Sequence, residues 1–366
     1  MSGNRPVTSI GARHISRKTI FAIVLIGIII GGGITAYSID ANNSRTQNSN
    51  LLLISLMGLI LTPMPVELNL LWSYETGYTI KAVSISPDGN YIAAVGENDT
   101  NDIVFFLNSS GHLLWSKNYN ELFGFEMYIY NVSVSLNGSY IAISSMDKTG
   151  LVYKNGTASW NKDLGGQYHF ASISDDGEYV AVGTYGDKRI YLLNSTAEGD
   201  TLWSYDTNHY VASVAITGDG EYIVAGDYNG TVYCRDKQNS TGWVKNIQYS
   251  EVLPGIITVS PSQQGDSIGV AYRGYGKFGL LNSSGDWMIS WTDCGASINA
   301  FSLSPTGELL FLALRNNIKI YDTETRTYVG LYGFGQSANC IDITVNGDYL
   351  AAGSGTQIHL LQIIKY

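Results

Sequence analysis

Two histidines are the side chains of this sequence best suited to metal or proton-transfer chemistry. His169 and His209 each stand in a loop that follows a predicted β-strand, so they could meet where those loops converge. A metal ion would need a third protein ligand, for which Asp206 or Glu126 is the candidate. Loop histidines are common, however, and we predict neither a metal site nor a catalytic residue from this pair.

Three cysteines provide no further chemistry. Cys234, Cys294 and Cys340 form no CxxC pair, which excludes a zinc signature and a disulfide framework. Cys294 and Cys340 belong to adjacent repeats and could pair in an oxidising compartment, but we predict buried free thiols. The sequence also contains no P-loop and no H-E-x-x-H motif. We therefore predict no cofactor, and a binding protein rather than an enzyme.

The composition indicates a β-sheet protein with an acidic surface. Charged residues make up only 14% of the chain, whereas there are 41 glycines and 26 tyrosines, which is typical of short strands joined by tight turns. Residues 1–18 contain four basic and no acidic residues, so residues 19–366 hold 17 basic and 31 acidic residues, a formal charge of −14. An acidic body without a basic stripe argues against nucleic acid as a partner.

One sequence pattern occurs seven times and sets the predicted architecture. The first copy, "SISPDGNYIAAVG", begins at Ser84, and in most copies an Asp-Gly or Asn-Gly turn separates two runs rich in β-branched and aromatic residues. The turn glycines are 39 to 49 residues apart, which fits the four short strands of one β-propeller blade. These glycines are Gly89, Gly138, Gly177, Gly220, Gly265, Gly307 and Gly347.

Each unit also has an outer strand with an aromatic residue, which we predict to pack between neighbouring blades. These residues are Trp72, Trp115, Trp160, Trp203, Trp243 and Trp291, with Tyr328 and Tyr332 in the remaining unit. The first outer strand, 70–74, precedes the first repeat, and the last unit lacks one. We therefore predict an all-β, seven-bladed β-propeller of four-stranded antiparallel blades, closed by pairing the N-terminal strand with the C-terminal segment.

Individual repeats resemble those of known propeller families. "SPDGNYIAAVG" and "IKIYDTETRT" resemble WD40 and YVTN-type repeats, whereas "LNSSGHLLWS" and "DTLWSYDT" resemble the quinoprotein, or PQQ-like, repeat. The resemblance covers residues 68–366 and implies a propeller, but both families include binding proteins and enzymes. The sequence departs from them in having no GH…WD pair, no adjacent cysteines and no acidic calcium cluster.

The predicted binding surface is one rim of the propeller. If the strands of a blade are named A to D from the axis outward, the D–A and B–C loops share a rim, and these loops are rich in aromatic residues suited to binding a peptide or a sugar. The predicted binding residues are Tyr78, Tyr119, Phe123, Phe125, Tyr128, Tyr130, Tyr168, His169, His209, Tyr210, Tyr249 and Tyr275. Further tyrosines of this rim are Tyr185, Tyr228 and Tyr332.

Two apolar segments precede the repeats. Residues 19–39 contain no charge and are long enough to span about 30 Å of hydrocarbon, and the basic residues before them favour a cytoplasmic N-terminus. A cleaved signal peptide is the alternative, but no clean A-x-A site follows. Residues 51–66 are short for a span and contain two prolines, so we interpret them as an interfacial or docked segment. The alternative is that they span the membrane and return the propeller to the cytoplasm, but no Lys or Arg follows them until Lys81 to favour that topology.

The predicted organisation is a basic cytoplasmic N-terminus (1–18), a transmembrane helix (19–39), a linker with the second apolar segment (40–67) and the propeller (68–366). Our first hypothesis is a membrane-anchored scaffold, with its propeller on the extracytoplasmic side, that binds a protein, peptide or glycan on the D–A/B–C rim. The alternative is a propeller enzyme, either a quinone-dependent dehydrogenase or a metal-dependent hydrolase or lyase, with its site at the channel mouth.

Overall fold

The computed structural model describes residues 65–196, 198–248 and 257–366, and these residues form seven four-stranded antiparallel sheets. Each sheet is one predicted blade, so the prediction of an all-β, seven-bladed propeller is confirmed. Within the described part of the chain, no helix has the length and apolar character needed to cross a membrane. The predicted transmembrane helix, residues 19–39, lies outside the described residues.

The first four blades follow one another along the chain after strand β1, which spans Val66–Glu75. Blade 1 contains β2 (Thr79–Ile85), β3 (Tyr91–Glu97), β4 (Asp102–Asn108) and β5 (Leu113–Asn118). Blade 2 contains β6 (Ile129–Val134), β7 (Tyr140–Ser145), β8 (Lys148–Tyr153) and β9 (Ala158–Asp163). Blade 3 contains β10 (His169–Ile173), β11 (Tyr179–Thr184), β12 (Arg189–Asn194) and β13 (Thr201–Asp206). Blade 4 contains β14 (Val211–Ile216), β15 (Tyr222–Asp227), β16 (Thr231–Asp236) and β17 (Gly242–Asn246).

The remaining blades complete the ring. Blade 5 contains β18 (Ile257–Pro261), β19 (Ser267–Tyr272), β20 (Lys277–Asn282) and β21 (Trp287–Asp293). Blade 6 contains β22 (Ala300–Leu303), β23 (Leu309–Ala313), β24 (Asn317–Asp322) and β25 (Thr327–Gly333). Blade 7 contains β26 (Ala338–Ile343), β27 (Tyr349–Ser354), β28 (Gln357–Lys365) and β1. A helix, α1 (Tyr119–Phe123), joins blades 1 and 2, and a 3₁₀ turn (Leu136–Gly138) joins β6 to β7.

Five of the seven A–B hairpins owe their shape to a Ser/Thr-x-Asp/Asn-Gly sequence, and in blades 5 and 6 Gln264 and Thr306 take the place of the Asp or Asn. In blade 1 the Ser86 hydroxyl accepts a hydrogen bond from Tyr91 N at 3.0 Å and donates to Asp88 Oδ1 at 2.6 Å, which satisfies groups that the tight turn would otherwise leave unpaired. Gly89 has a φ of 76°, a left-handed conformation that glycine adopts without steric cost. All seven predicted turn glycines have φ between 64° and 76°.

The ring closes by pairing the two ends of the described chain, as predicted. Strand β1 is the outermost strand of blade 7 and lies antiparallel to β28, with a register that runs from Val66 opposite Lys365 to Glu75 opposite Gln357. A side-chain hydrogen bond of 2.8 Å between Ser73 Oγ and His359 Nδ1 adds to this pairing. Closure leaves the ring without an open seam between its first and last blades.

The hydrophobic core is divided into seven clusters of buried side chains, one between each pair of neighbouring blades. A single blade is one sheet thick and buries its faces only against its neighbours. The three cysteines lie in these clusters as buried free thiols, as predicted. Burial raises the pKa of the Cys234 and Cys340 thiols to about 12, so both are protonated at neutral pH.

The outer-strand tryptophans join each blade to the next one. Trp72 of blade 7 donates its Nε1–H to the carbonyl of Ser109 in the C–D turn of blade 1, at 2.8 Å. Trp115 makes the same bond to Lys154 of blade 2, at 2.9 Å. The corresponding donors in blades 2, 3 and 4 are Trp160, Trp203 and Trp243. For four of these five tryptophans, all except Trp203, a glycine of the receiving turn lies against the indole ring, and a Cβ on Gly111 would stand 2.9 Å from Trp72 Cδ2.

Blades 5 and 6 depart from this arrangement. Trp291 donates back to Ile247 of blade 4 at 3.0 Å, and the Tyr328 hydroxyl donates back to Asp293 of blade 5 at 3.3 Å. The prediction that these aromatic residues link neighbouring blades is confirmed, but the sequence did not reveal the change in direction. The one-residue register shift that precedes the tryptophan in β1, β5, β9 and β13 is also present in β21 and β25. In these two strands, however, Ile289 and Gly330 hold the position of the tryptophan, and the aromatic side chains Trp291 and Tyr328 stand two residues away from it.

Serine hydroxyls also connect the innermost strands around the axis. Ser84 accepts a hydrogen bond from Val134 N of the next blade at 3.2 Å, and Ser133 accepts one from Ile173 N at 3.1 Å. Ser172 and Ser260 accept equivalent bonds at 3.3 Å and 3.0 Å. Blade 7 differs, because Asp342 occupies the serine position.

Candidate binding site

Five tyrosines from three consecutive blades form one continuous group on the D–A/B–C rim. We call this group the tyrosine cluster. Tyr168 and Tyr210 lie in D–A loops, Tyr185 and Tyr228 lie in B–C loops, and Tyr130 lies in β6 at the start of blade 2. The cluster therefore brings together side chains that are almost 100 residues apart in sequence.

Hydrogen bonds between loop backbones hold the cluster in place. Tyr185 N donates to the carbonyl of Gln167 at 3.0 Å, which joins the B–C loop of blade 3 to the D–A loop before it. Tyr228 N donates to the carbonyl of Tyr210 at 3.0 Å and joins the same two kinds of loop in blade 4. The loops thus support each other, and the aromatic side chains are carried by a connected backbone.

The rings contact one another in a chain. The Tyr130 and Tyr168 centroids are 5.3 Å apart, and Tyr168 meets Tyr185 at 5.6 Å in an edge-to-face contact. Tyr185 stacks on Tyr210 with 4.1 Å between centroids and 11° between planes, and meets Tyr228 edge-on at 5.2 Å. Such aromatic pairs each contribute about 0.5–1.5 kcal/mol beyond the area they bury. Tyr185 is the centre of the group because it contacts three other rings.

Two lysines lie beside the cluster. Lys188 Nζ lies 5.0 Å from the Tyr210 ring centroid and Lys81 Nζ lies 5.7 Å from that of Tyr130, both within the range of a cation–π interaction. Lys81 is held by an ion pair of 2.9 Å with the buried Asp102. Burial, together with the neighbouring Tyr168 and Asp102, raises the pKa of Tyr130 to about 12. Its hydroxyl therefore stays a hydrogen-bond donor at neutral pH.

The long loop after β5 does not present its aromatic residues as expected. Asn118 caps α1 by accepting from Glu121 N at 2.8 Å, and Glu121 caps it in return at Asn118 N. The helix directs Tyr119 inward, where it is fully buried. Phe123 and Phe125 pack on Tyr119 at 4.7 Å and 5.4 Å. Tyr119 is therefore not exposed on the rim as expected, and Phe123 and Phe125 are half-buried, because the loop folds against the core between blades 1 and 2.

The two histidines do not meet. His169 is fully buried, with Nδ1 3.1 Å from Thr149 Oγ1 and Nε2 3.2 Å from the Gly165 carbonyl, so both ring nitrogens have partners in the protein. Burial lowers the pKa of His169 below its ordinary value, which favours the neutral ring. His209 is exposed. In residues 65–196, 198–248 and 257–366, no three His, Cys, Asp or Glu side chains are grouped as metal ligands would be.

Among the described residues, the other tyrosines predicted on this rim make no ring contact with the cluster. Tyr128 is 59% exposed and Tyr275 is 41% exposed, and Tyr275 packs on Tyr272 at 5.2 Å. Tyr78 is half-buried against Phe105. Tyr249 lies outside the described residues.

Two strings have the spacing of enzyme motifs but lie in hairpins. Residues 265–269 read G-x-S-x-G, and Ser267 begins β19 directly after an A–B turn. Residues 274–279 read G-x-G-x-x-G, and they run from the B–C turn of blade 5 into β20. The nucleophile motif needs a strand-to-helix turn and the dinucleotide motif needs a following helix. Neither string has that setting.

Comparison with known proteins supports the assignment of the repeats. The family model "WD domain, G-beta repeat" (WD40) matches residues 199–236, which contain β13 to β16. Together with the seven blades, this match supports a WD40-like β-propeller repeat protein. A propeller of this type suggests a role as a protein-interaction scaffold. No curated protein matches the chain.

Proposed function

We propose that this protein is a scaffold that binds a protein or peptide partner through the tyrosine cluster. The observation that carries the proposal is the arrangement of Tyr130, Tyr168, Tyr185, Tyr210 and Tyr228, which three blades bring into one surface. Tyrosine is enriched at protein interfaces because its ring is large and stiff and its hydroxyl can bind hydrogen-bonding groups. Lys188 and Lys81 beside the cluster give it both apolar and charged contacts.

The conformation of Tyr168 supports a binding role. Its φ is 54°, in the left-handed region that costs a bulky side chain roughly 1–2 kcal/mol. This conformation places the ring between Tyr130 and Tyr185 and leaves it 37% exposed. Strain of this kind is frequent at binding sites, where it holds a side chain ready for a ligand.

The Tyr210→Ala variant tests the site. We expect it to weaken peptide binding about 30-fold, because a central interface tyrosine is worth about 2 kcal/mol or more. A peptide would first be selected from a displayed library on the full chain, and its Kd would then be measured by fluorescence anisotropy. Tyr128→Ala is the matched control, since Tyr128 is more exposed on the same rim but belongs to no ring contact of the cluster.

Equal losses in Tyr210→Ala and Tyr128→Ala would place the peptide elsewhere and refute the site. If the library yields no peptide and a glycan array instead gives a ligand whose binding is lost in Tyr210→Ala, the site is kept but the class of ligand changes.

The proposal includes a position for the protein at a membrane. The uncharged residues 19–39 and the basic residues before them support an N-terminal anchor with the propeller on the extracytoplasmic side. Strand β1 begins at Val66 next to the end of β28, on the A–B/C–D rim, which is the rim opposite the tyrosine cluster. An anchor entering there would leave the cluster facing away from the bilayer.

A cysteine-labelling experiment tests this sidedness. We expect a Ser290→Cys variant to react in intact cells with a maleimide that cannot cross membranes, because Ser290 is exposed on the outer strand of blade 5. The unaltered chain is the control, since its three cysteines are all buried. Labelling of Ser290→Cys only after the cells are lysed would place the propeller on the cytoplasmic side.

A further inference from the structure

A polar cavity of about 180 Å³ lies on the propeller axis at the A–B end. All seven blades contribute to its wall through the ends of their innermost strands. The residues at the shared wall position are Ser84, Ser133, Ser172, Ala215, Ser260, Ser302 and Asp342. The cavity is separate from the tyrosine cluster, which lies on the opposite rim.

The wall is negatively charged without compensation. Its ionisable residues are Asp342 and Asp175, and no Lys, Arg or His lines the described cavity. Asp342 Oδ2 accepts hydrogen bonds from Ser84 Oγ and Ile85 N, both at 3.0 Å, and Asp175 accepts one from Gln263 Nε2 at 2.5 Å. These bonds fix the carboxylates but bring no positive charge to them.

The aspartate also leaves one hydroxyl of the wall without a partner. In four blade pairs a backbone N–H of the next blade donates to the wall serine, as Leu303 N does to Ser260. In blade 7 the corresponding N–H belongs to Ile343, and it donates to Asp342 Oδ1 at 2.9 Å instead of to Ser302. Ser302 is only 9% exposed, and its hydroxyl has no hydrogen-bond partner among the described residues. Because Ser302 lines the cavity, its hydroxyl is available to a ligand there.

We propose that this cavity binds a primary ammonium group, carried either by a small alkylamine or by a lysine side chain of a partner. The charge would be neutralised by Asp342, and the three N–H donors of an ammonium group match the free lone pairs of Ser302 and its neighbouring serines. The cavity is larger than a bare metal ion requires, since an engineered cavity of about 150 Å³ holds benzene. A four-carbon chain therefore fits with its ammonium group.

Calorimetry on the full chain with n-butylammonium chloride at constant ionic strength tests the proposal. We expect measurable binding at pH 7.5 that weakens roughly tenfold in Asp342→Asn, because a hydrogen bond to a charged group is worth about 1.5–3 kcal/mol. We expect a smaller loss, roughly threefold to fivefold, in Ser302→Ala. Ser290→Ala, which removes an exposed serine hydroxyl, is the control and should bind as the unaltered chain does.

Three further ligands make the result specific. Tetraethylammonium chloride has the same charge but no N–H donor, and binding equal to that of butylammonium would refute the site. Preferential binding of CaCl₂ would also refute it, in favour of a metal site. A Gly-Gly-Lys-Gly-Gly peptide separates the two sources, since tighter binding than butylammonium indicates a partner's lysine and weaker binding indicates a free amine.

Discussion

We expect the Trp72→Ala variant to have a free energy of unfolding about 3 kcal/mol lower than the unaltered chain. Trp72 lies on β1, the strand that closes the ring, and its indole covers Gly111 and donates to Ser109 of blade 1. Its loss removes a large packing surface together with a hydrogen bond between the first and last blades. Chemical denaturation followed by circular dichroism measures the change. Leu71→Ala is the control, because Leu71 directly precedes Trp72 but is 45% exposed. We expect its free energy of unfolding to stay within about 0.5 kcal/mol of that of the unaltered chain.

The same contact can be tested from the other side through Gly111. Gly111→Ala places a methyl group 2.9 Å from the Trp72 ring at a φ of 78°. Gly77→Ala is its matched control, since Gly77 has a φ of 75° and no atom within 4 Å of the added methyl. Both variants force an alanine into the left-handed region, which lowers the free energy of unfolding of each. In Gly111→Ala, overpacking against the Trp72 ring should lower it by about 1–3 kcal/mol more. Equal losses of stability in Gly111→Ala and Gly77→Ala would contradict the role of this contact in closing the ring. A Trp72→Ala variant as stable as Leu71→Ala would contradict it as well.

We expect Asp342→Asn to be more stable than the unaltered chain at pH 7.5 and equally stable at pH 4. Burial raises the pKa of Asp342 from its ordinary 3.8 to about 6, although hydrogen bonds from Ile85 N and Ser84 oppose the shift. The folded protein therefore keeps the proton to a higher pH than the unfolded chain does. The stabilisation from that proton is complete below about pH 4 and is lost as the pH rises through 6.

The size of the effect follows from the shift. A rise of two pKa units corresponds to about 3 kcal/mol, which is the largest stability difference we expect between Asp342→Asn and the unaltered chain at pH 7.5. Denaturation curves at pH 4, 5, 6 and 7.5 measure it, preferably without added amines. Asp99→Asn, at an exposed position in the B–C loop of blade 1, is the control. A difference between Asp342→Asn and the unaltered chain that stays constant from pH 4 to pH 7.5 would contradict the raised pKa.

Some features of the tyrosine cluster could be predicted from the sequence and others could not. Tyr130, Tyr168 and Tyr210 were predicted on the D–A/B–C rim, and the structure places them in one cluster with Tyr185 and Tyr228. Both of the latter were recognised as rim residues, but the central position of Tyr185 depends on contacts between loops of different blades. No local pattern in the sequence encodes such a contact.

The burial of Tyr119 and His169 was not predicted from the sequence. The string "NYNELFGFEM" looks like an exposed aromatic loop, yet Asn118 and Glu121 form a capping box that a spacing of three residues already indicates. Recognising that signal would have predicted α1 and an inward face for Tyr119. His169 gave no comparable signal, because its burial comes from Thr149 and Gly165 packing around it in three dimensions.

The seven blades, their turns and the closure by β1 could be predicted from the sequence alone, because they depend on a repeated local pattern. A strand period, a turn glycine with positive φ and a missing outer strand in the last repeat can each be read within about 40 residues. Three other features emerge only in the folded chain: the set of rings in the tyrosine cluster, the backward hydrogen bonds of Trp291 and Tyr328, and the unpaired hydroxyl of Ser302 beside Asp342. Those outcomes depend on distances between blades, which are set when the ring closes and every side chain competes for the same space.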